Sequence, residues 1–237
     1  MAIAILSDIH GNLEALTAIF NYLNKKKINE VYCLGDIVGY GPNPNECVEL
    51  IANKCTNAII GNHDHAALGL TSIEYFNEFA KVSTRWTAKQ LSNKSKDYLL
   101  SLDFKYGNDF FLLVHSSPSD PQSWNYVLTE HDAGQEFKYF DQPICFIGHS
   151  HFPVVFSQKG YTRKSKVKLD ESNKYIVNVG STGQPRDGDS RACFCLYDRE
   201  HRKIEYVRIE YDIKATRDKI IAAGLPMFLA DRLKKGF

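Results

Sequence analysis

Short apolar runs that end abruptly in polar residues constrain the fold of this 237-residue chain more than any other feature. Residues 2–6, 31–34 and 58–60 are apolar and have the length of buried β-strands. Helical patterns separate them: residues 13–23 carry apolar side chains at three- and four-residue spacing, and the Pro and Glu after Asn43 mark a second helix start. The order β-α-β-α-β predicts a parallel sheet that is covered by helices.

The rest of the chain is predicted to be helical first and then rich in strands. Residues 73–102 have helical spacing, with an aromatic stripe that we interpret as packing rather than as a cofactor site. A Gly-Asn-Asp turn at 107–109 predicts a hairpin. We interpret the polar segment 157–174 as a solvated loop or hairpin. Five further strands are predicted, at residues 144–147, 153–156, 175–179, 192–197 and 204–210.

The length and pattern of the chain predict one α/β domain. A chain of 237 residues can bury a large core without metal or disulfide staples. The sequence changes from α/β to strand-rich near residue 150 without a linker-like stretch, so we expect a single domain over residues 1–237, with two small domains as the alternative. Within it, we expect residues 66–102 to form a helical cap-like segment and residues 213–237 a C-terminal tail of two short helices.

The cysteines and the chain's apolar segments favour a cytoplasmic protein. The six cysteines include no CxxC pair, so we expect reduced and mostly buried thiols. Cys193 and Cys195, two apart in a predicted strand, are expected to face one side of a sheet. The N-terminal apolar run lacks the basic region and cleavage site of a signal peptide. No stretch approaches the roughly 20 apolar residues of a membrane helix.

Polar motifs follow five of the predicted strands directly. In chain order they are Asp8-x-His10, Gly35-Asp36, the GNHD sequence at 61–64, His115, and the GHSH sequence at 148–151. In covered parallel sheets, ligand sites lie beyond the carboxyl ends of the strands. We therefore expect two Asp, one Asn and five His to meet in one crevice.

These residue types favour a metal site with two ions. Imidazole nitrogen and carboxylate oxygen suit Mn, Fe, Co, Ni or Zn, and no thiolate is present to indicate structural zinc. At least seven ligands are too many for one ion, but they fit two ions about 3.5–4 Å apart with one bridging Asp. Each motif alone is weak evidence, since Gly-Asp is usually a turn and most single histidines lie on the surface or in the core. Their joint position after five strands favours the metal site.

The charge balance argues against a protein that coats nucleic acid or an anionic membrane. The chain has 29 basic and 28 acidic residues, so its net charge is +1. A protein that coats nucleic acid or anionic membrane needs a clear basic excess. We therefore expect a small phosphoester or nucleotide as partner, with no membrane and no stable nucleic-acid complex, while the oligomeric state is left open.

The motifs, in this order and over about 150 residues, resemble those of the calcineurin-like metallophosphoesterases. The phrases at 35–44 and 178–188 are similar to the compact bacterial and archaeal, phosphodiesterase-like branch. The resemblance implies a two-sheet β-sandwich flanked by helices, in four layers α/β/β/α. It also implies a role for each motif residue: Asp8, His10 and His151 bind the first metal, Asn62, His115 and His149 bind the second, Asp36 bridges both, and His63 assists the leaving group as general acid or charge stabiliser.

The resemblance implies a phosphohydrolase that depends on two divalent transition metals, with Mn expected and Fe, Ni, Co or Zn as alternatives. We expect a phosphodiesterase in which a metal-activated hydroxide attacks phosphorus. A phosphomonoesterase and a dinucleoside polyphosphate hydrolase remain as alternatives with the same metal chemistry. A non-catalytic interaction module on the same fold is the alternative from another class, and the complete set of motif residues argues against it.

Two departures from the family pattern bear on the substrate. Ser116 stands where family members often have Gly, which shifts the loop or adds a hydroxyl near the substrate. Protein phosphatases of the superfamily carry an Arg soon after Gly-Asp and a Glu after Gly-Asn-His. This chain lacks that Arg and has Asp64 there, so a phosphoprotein phosphatase is not expected. Arg186, in a turn after a strand, is our candidate for the phosphate-binding cation.

Three histidines lie outside the motif pattern. His65 is adjacent to the third motif, and we interpret it as a residue of the pocket rim rather than as a ligand. His131 and His201 are interpreted as surface residues.

Overall fold

Two six-stranded sheets form the framework of the protein, which a computed structural model describes over residues 2–237; Met1 lies outside the described residues. The strands are β1 (Ala2–Leu6), β2 (Val31–Cys33), β3 (Asn57–Ala58), β4 (Lys105–Gly107), β5 (Leu112–Val114), β6 (Ile144–Ile147), β7 (Val154–Ser157), β8 (Gly160–Thr162), β9 (Lys166–Lys168), β10 (Tyr175–Asn178), β11 (Ala192–Asp198) and β12 (Lys203–Ile209).

Eight α-helices are present in residues 2–237. They are α1 (Leu13–Lys26), α2 (Pro44–Lys54), α3 (Asn62–Ala67), α4 (Glu78–Gln90), α5 (Asn93–Leu100), α6 (Glu130–Glu136), α7 (Ile213–Ala222) and α8 (Met227–Lys235). Two short 3-10 turns lie at Pro121–Ser123 and Phe137–Tyr139. Within this part of the chain, no helix combines the length and the apolar character that crossing a bilayer requires.

Both sheets are mixed. The first has the order β3-β2-β1-β11-β12-β9, in which β1, β2 and β3 run parallel and β11 pairs antiparallel with β1. The second has the order β4-β5-β6-β10-β7-β8, with β5, β6 and β10 parallel. The predicted parallel β-α-β-α-β unit is thus present, and antiparallel strands from the second half of the chain extend it.

The alternation of side chains along β1 places the sheets within four layers. Ile3 and Ile5 point into an apolar cluster between the two sheets, together with Phe111 and Phe146. The intervening residues Ala4 and Leu6 point to the opposite face, where α1 packs. Successive side chains of a strand face opposite sides, so one apolar strand serves two cores. The second sheet packs α6 on its own outer face, which confirms the predicted two-sheet α/β/β/α fold.

Residues 73–102, predicted to be helical throughout, contain two separate helices. Residues 73–77 are not helical; α4 begins after Asn77, whose side chain caps Ala80, and a second cap at Ser92 separates α5. The expectation that the aromatic stripe packs inside is wrong for Tyr75, which is 97% exposed. Helical spacing in the sequence extends across these two caps, and the local side-chain bonds override it.

Two local predictions also differ in detail. The polar segment 157–174 contains β8 and β9, which form outer strands of different sheets, so it connects the sheets instead of forming one loop. Charged residues such as Lys166 suit an exposed edge strand. Asn43 precedes α2 as predicted, but its side chain donates to Glu46 rather than capping the backbone.

Other local predictions are confirmed. The turn at 107–109 connects the antiparallel pair β4 and β5, and the tail forms α7 and α8. All six cysteines are free, and all but the half-buried Cys55 are buried. Cys193 and Cys195 lie in the same cluster between the sheets.

Glycines allow the loops after β1 and β10 to touch. The Gly183 amide donates to the carbonyl oxygen of Asp8 (2.9 Å), and a Cβ at Gly183 would lie only 1.8 Å from the carbonyl oxygen of Ile9. Such contact leaves no space for any other side chain at position 183.

Gly183→Ala is therefore expected to destabilise the protein. The loops must move apart, which should lower the free energy of unfolding by roughly 1–3 kcal/mol. Gly134→Ala, in α6, is the matched control because nothing lies within 4 Å of a Cβ there. Urea denaturation measures both variants, and equal midpoints would contradict the close approach of the two loops.

Candidate metal centre

The motif residues meet at the carboxyl ends of strands from both sheets. The loops that follow β1, β2 and β3 come from the first sheet, and those that follow β5 and β6 come from the second. The predicted crevice therefore lies across the two sheets rather than along one. The side chains it brings together are almost completely buried: Asp8, His10, Asp36, Asn62, His63, His115, His149 and His151.

Five of these residues have left-handed backbone conformations. Their φ angles are 53° at Asp8, 49° at His10, 51° at Asp36, 67° at His149 and 66° at His151. Asp and His adopt this region more readily than most residues, but it still costs free energy. Backbone strain of this kind persists where the surrounding structure imposes it, and it concentrates at functional sites.

The first donor group consists of Asp8, His10 and His151. The Nδ1 atoms of the two histidines donate to the carbonyl oxygens of Val38 (3.2 Å) and Gln184 (2.5 Å). Burial lowers the pKa of both rings well below the usual value, so each ring is neutral and its Nε2 carries a lone pair.

The two Nε2 atoms of this group lie 3.1 Å apart, so two lone pairs face each other. The Oδ1 atom of Asp8 lies 3.3 Å from the Nε2 of His151, and it is buried without a hydrogen-bond partner in residues 2–237. Lone pairs that converge in this way repel one another unless a cation lies between them. The donors therefore fit a divalent metal ion.

The second donor group consists of Asn62, His115 and His149. The Nε2 atom of His115 lies 3.2 Å from Asn62 Oδ1, while its Nδ1 donates to the carbonyl oxygen of Leu34 (2.8 Å). The Nε2 of His149 donates to the carbonyl oxygen of Trp124 (2.9 Å), which leaves Nδ1 as the donor for a metal. Backbone carbonyls thus orient the ligand rings on both sides of the centre.

Asp36 lies between the two groups. Its Oδ2 atom is 3.3 Å from His115 Nε2 and 3.7 Å from His10 Nε2, and its Oδ1 accepts from the amide of His63 (2.8 Å). Asp36 can share a metal ion with His10 and His63, or with His115 and His149, since the donor atoms of each set lie within 4.8 Å of one another. This position suits a carboxylate that contacts two ions.

Asp36 and His115 dominate the electrostatics of the site. Burial raises the pKa of Asp36, but the charges of His115, His63 and His10 outweigh it and hold the pKa well below its usual range. Burial lowers the pKa of His115, but Asp36 outweighs it and raises the pKa to about 9. At neutral pH, His115 therefore carries a proton next to Asp36, and a metal ion can displace that proton.

The pKa values of Asp8 and His149 are set mainly by burial. Burial and the neighbouring Asp36 raise the pKa of Asp8 to about 6, although His115 opposes them. Burial, with the charge of His115, lowers the pKa of His149 to about 3. At neutral pH both residues are in the forms that bind metal.

His63 lies beside the first donor group. Its ring centroid is 5.0 Å from that of His10, and the ring packs between Tyr40 (4.5 Å) and Phe76 (4.8 Å). Gly39 makes room for it, since a Cβ at Gly39 would lie 2.9 Å from the His63 Nδ1 atom. Burial lowers the pKa of His63 to about 4.

Other sequence candidates lie at the margin of the centre. Arg186 is half-buried, and its Nη2 donates to the side-chain oxygen of Gln184 (3.2 Å), the residue whose backbone oxygen holds His151. Ser116 is buried, and its hydroxyl donates to the carbonyl oxygen of Pro121 (3.2 Å), so it anchors its loop. His65 contacts Thr71 and lies outside the metal-capable groups found in residues 2–237.

The remaining two histidines, His131 and His201, are exposed as predicted. His201 pairs with Asp198 at 2.8 Å, on a turn far along the chain from the motifs.

Several residues of the site carry no signal in the sequence. Tyr126 stacks on His149, with ring centroids 3.9 Å apart, and Trp124 holds the same histidine through its backbone. Asp64 lies in the GNHD motif and replaces there the Glu of protein phosphatases, but the sequence indicates no role for it. In the structure it accepts from the amides of Val38 (2.9 Å) and Gly61 (3.0 Å) and so connects the second and third motifs.

Comparison with known proteins gives one family match and close relatives. Residues 1–202 match the model of the calcineurin-like phosphoesterase superfamily domain. An uncharacterised protein of Methanocaldococcus jannaschii is 42% identical over 240 residues, covering 99% of this chain and 98% of the relative. A metallophosphoesterase from Sphaerobacter thermophilus is 37% identical in sequence, and its crystal structure superposes with a TM-score of 0.90. The superposition covers 100% of this chain and 99% of that chain.

A further relative is named for its substrate. The symmetrical bis(5'-nucleosyl)-tetraphosphatase of Actinobacillus pleuropneumoniae is 30% identical over 138 residues. The match covers 55% of this chain and 48% of the relative, so the likeness is confined to about half of each protein.

Asp36→Asn is expected to weaken metal binding at least about tenfold, because the substitution removes a charge from the carboxylate placed between both donor groups. Equilibrium dialysis against Mn²⁺, followed by elemental analysis, measures the bound metal. Asp141→Asn is the matched control, since Asp141 is fully exposed and 4.0 Å from Lys174. Equal metal content in wild type and Asp36→Asn would exclude this carboxylate as a ligand.

Proposed function

This chain belongs to the calcineurin-like phosphoesterase superfamily and is a phosphoesterase enzyme, and we propose that it is a phosphodiesterase that works with two divalent metal ions. One observation carries the proposal: two groups of buried, converging donor atoms have the carboxylate of Asp36 between them. A shared carboxylate between two donor groups is the arrangement expected for a two-metal hydrolase.

Each group would hold one ion through nitrogen and oxygen donors. The first would use Asp8, His10 and His151, the second Asn62, His115 and His149, and Asp36 would contact both. Such donors without sulfur suit Mn²⁺, which we propose as the metal, while Fe, Co, Ni and Zn also tolerate them. Two bound cations would supply positive charge for the phosphoryl oxygens and an activated water at neutral pH.

His63 is proposed to assist the leaving oxygen. With a pKa lowered to about 4 by burial, the ring is neutral at pH 7 before substrate arrives. An anionic phosphoester next to the ring favours its protonated form, so His63 can donate a proton to the leaving group. The hydrogen bond from its amide to Asp36 (2.8 Å) fixes the ring's position relative to the metal centre.

The aromatic residues around the centre favour a diester. Tyr40 and Phe76 contact His63 on one side of the centre, and Trp124 and Tyr126 contact the histidines of the second group. Apolar surface on two sides suits a phosphate that carries two organic groups, whereas a monoester needs only one. We therefore favour a phosphodiesterase over a phosphomonoesterase.

Hydrolysis of a dinucleoside polyphosphate is the second candidate. The partial likeness to the bis(5'-nucleosyl)-tetraphosphatase supports it, and Tyr126, which is 50% exposed, offers a ring on which a nucleobase can stack.

We also propose that residues 1–237 act as one domain in which residues 66–102 and 213–237 line the crevice. Phe76 belongs to the first of these segments and contacts His63. Arg232 belongs to the second, and its guanidinium lies 6.0 Å from the Tyr40 ring. Both segments thus reach the residues around the first donor group.

His63→Ala is expected to lower kcat for an aryl phosphodiester about 10²-fold to 10⁴-fold, while the bound metal is unchanged. The loss should be larger for phenyl esters than for p-nitrophenyl esters, because a poorer leaving group depends more on proton donation. Steady-state kinetics with added Mn²⁺, and with EDTA in place of it, measure both effects.

His131→Ala is the control for this substitution, since that histidine is exposed. EDTA is expected to abolish activity in wild type and control alike. Full activity in metal-stripped protein would contradict the metal-dependent mechanism, and equal losses for both leaving groups would contradict proton donation by His63.

A further inference from the structure

Two arginines from distant parts of the sequence lie beside the first donor group. Arg186 follows β10, and its guanidinium donates to Gln184, which holds His151. Arg232 lies on α8, with its guanidinium 6.0 Å from the centroid of Tyr40, whose ring is in turn 4.7 Å from that of His10. Each guanidinium is thus separated from a candidate metal ligand by a single side chain.

The acidic residues adjacent to these arginines pair with other cations. Asp187 pairs with Arg208, Asp189 pairs with Arg191 at 2.6 Å, and Asp231 pairs with Arg217 at 2.8 Å. In the described part of the chain, no carboxylate side chain forms an ion pair with Arg186 or Arg232. Neither guanidinium therefore has an Asp or Glu side chain of residues 2–237 as its counter-ion.

The hydrogen bonds of the two guanidiniums are also incomplete. Arg186 donates to the Gln184 side chain, but its Nε is buried and has no partner in residues 2–237. Arg232 donates from Nε to the main-chain oxygen of Phe237. Because a guanidinium offers five N–H donors in a planar fork, both side chains keep donors for a ligand.

The two positive charges oppose each other. Burial, together with the charge of Arg186, lowers the pKa of Arg232 to about 10. Tyr40 lies close to both guanidiniums, since its side chain is within hydrogen-bonding reach of Arg186 and its ring centroid is 6.0 Å from Arg232. Placing like charges together away from water is unfavourable unless an anion compensates them.

We propose that Arg186 and Arg232 together bind a second phosphate group of the substrate, next to the phosphate that is cleaved. The proposal rests on the proposed phosphoesterase site and narrows its substrate to molecules with at least two phosphate groups. Planar guanidiniums match phosphate oxygens with paired hydrogen bonds, which a single charge such as lysine cannot form. A simple diester carries one negative charge, which would bind at the metal centre and leave the arginine pair without an anion.

Because Arg232 lies on α8, the proposed second phosphate site depends on the C-terminal tail. The match to the family model ends at residue 202, before α7 and α8. Thr216 donates to the side chain of Asn12 (3.1 Å), which caps α1 just after the first motif, and Arg217 connects α7 to α8 through the carbonyl oxygen of Ala230 (3.0 Å). The tail therefore holds Arg232 in a defined position.

A binding experiment with two uncleavable probes tests the proposal. Isothermal titration calorimetry of Mn²⁺-loaded protein compares methylenediphosphonate, which has two phosphonate groups, with methylphosphonate, which has one. Excess Mn²⁺ keeps the free metal concentration constant for all variants. Wild type is expected to bind the two-group probe at least about tenfold more tightly, and Arg232→Gln and Arg186→Gln should each lose most of that preference.

Lys234→Gln is the matched control, since it removes one positive charge from an exposed position on the same helix. It is expected to keep the wild-type preference. A preference that persists in Arg232→Gln, or that is absent in wild type, would overturn the proposal. Loss in Lys234→Gln as well would also overturn it, because the effect would then come from net charge.

Kinetics separate this proposal from the proposed function. In Arg232→Gln, KM for a dinucleoside tetraphosphate should rise about tenfold or more, and at least about threefold more than KM for a bis-aryl phosphodiester, whereas Lys234→Gln should change neither. If wild type cleaves none of these substrates but still prefers the two-group probe, the phosphodiesterase proposal fails and the second phosphate site stands. If wild type cleaves the diester but does not prefer the two-group probe, the second phosphate site fails and the phosphodiesterase proposal stands.

Discussion

The convergence of buried lone pairs at the strand ends is the constraint on which the rest of the structure depends. Neutral His10 and His151 direct their Nε2 atoms at each other across 3.1 Å, beside a carboxylate oxygen of Asp8 that has no partner in the described chain. Packing alone does not favour such an arrangement, because buried polar atoms without partners cost free energy. Loops from both sheets hold these atoms in place.

The loops impose this arrangement through the backbone. The amides of Asp8 and His10 donate to carbonyl oxygens in the loop of the second motif, at 3.1 Å and 2.9 Å, and the Gly183 amide donates to Asp8 at 2.9 Å. These bonds hold left-handed conformations that cost of order 1–3 kcal/mol each. Both sheets contribute loops, so the site is rigid only when the sheets are packed together. The apolar cluster between the sheets therefore supports the site as well as the fold.

The meeting of the motif residues in one crevice was predictable from the sequence because its signal is local. Each candidate ligand follows an apolar run, as Asp8 follows β1 and His115 follows β5, so the strand end that positions the residue lies next to it in the chain. The extent of α4 was harder to predict, since Asn77 caps the helix and leaves Tyr75 exposed. Arg232 and Tyr126 could not be predicted, because no neighbouring residue marks them. Their proximity to the centre depends on how the tail and the 116–130 loop pack.

The residues with local sequence signals and those without them would have different chemical tasks: the former would bind metal, and the latter would contact the rest of the substrate. In the proposed function, the donor atoms would supply a cation site that any phosphoester can use, and they come from segments with recognisable motifs. Discrimination between substrates requires contacts with groups beyond the cleaved phosphate, and we propose that α8 and the loop that carries Tyr126 make these contacts. An arginine on a tail helix can be exchanged without disturbing the lone pairs of His10 and His151. On this proposal, substrate choice could change while the metal chemistry stays the same, because the two would depend on different parts of the chain.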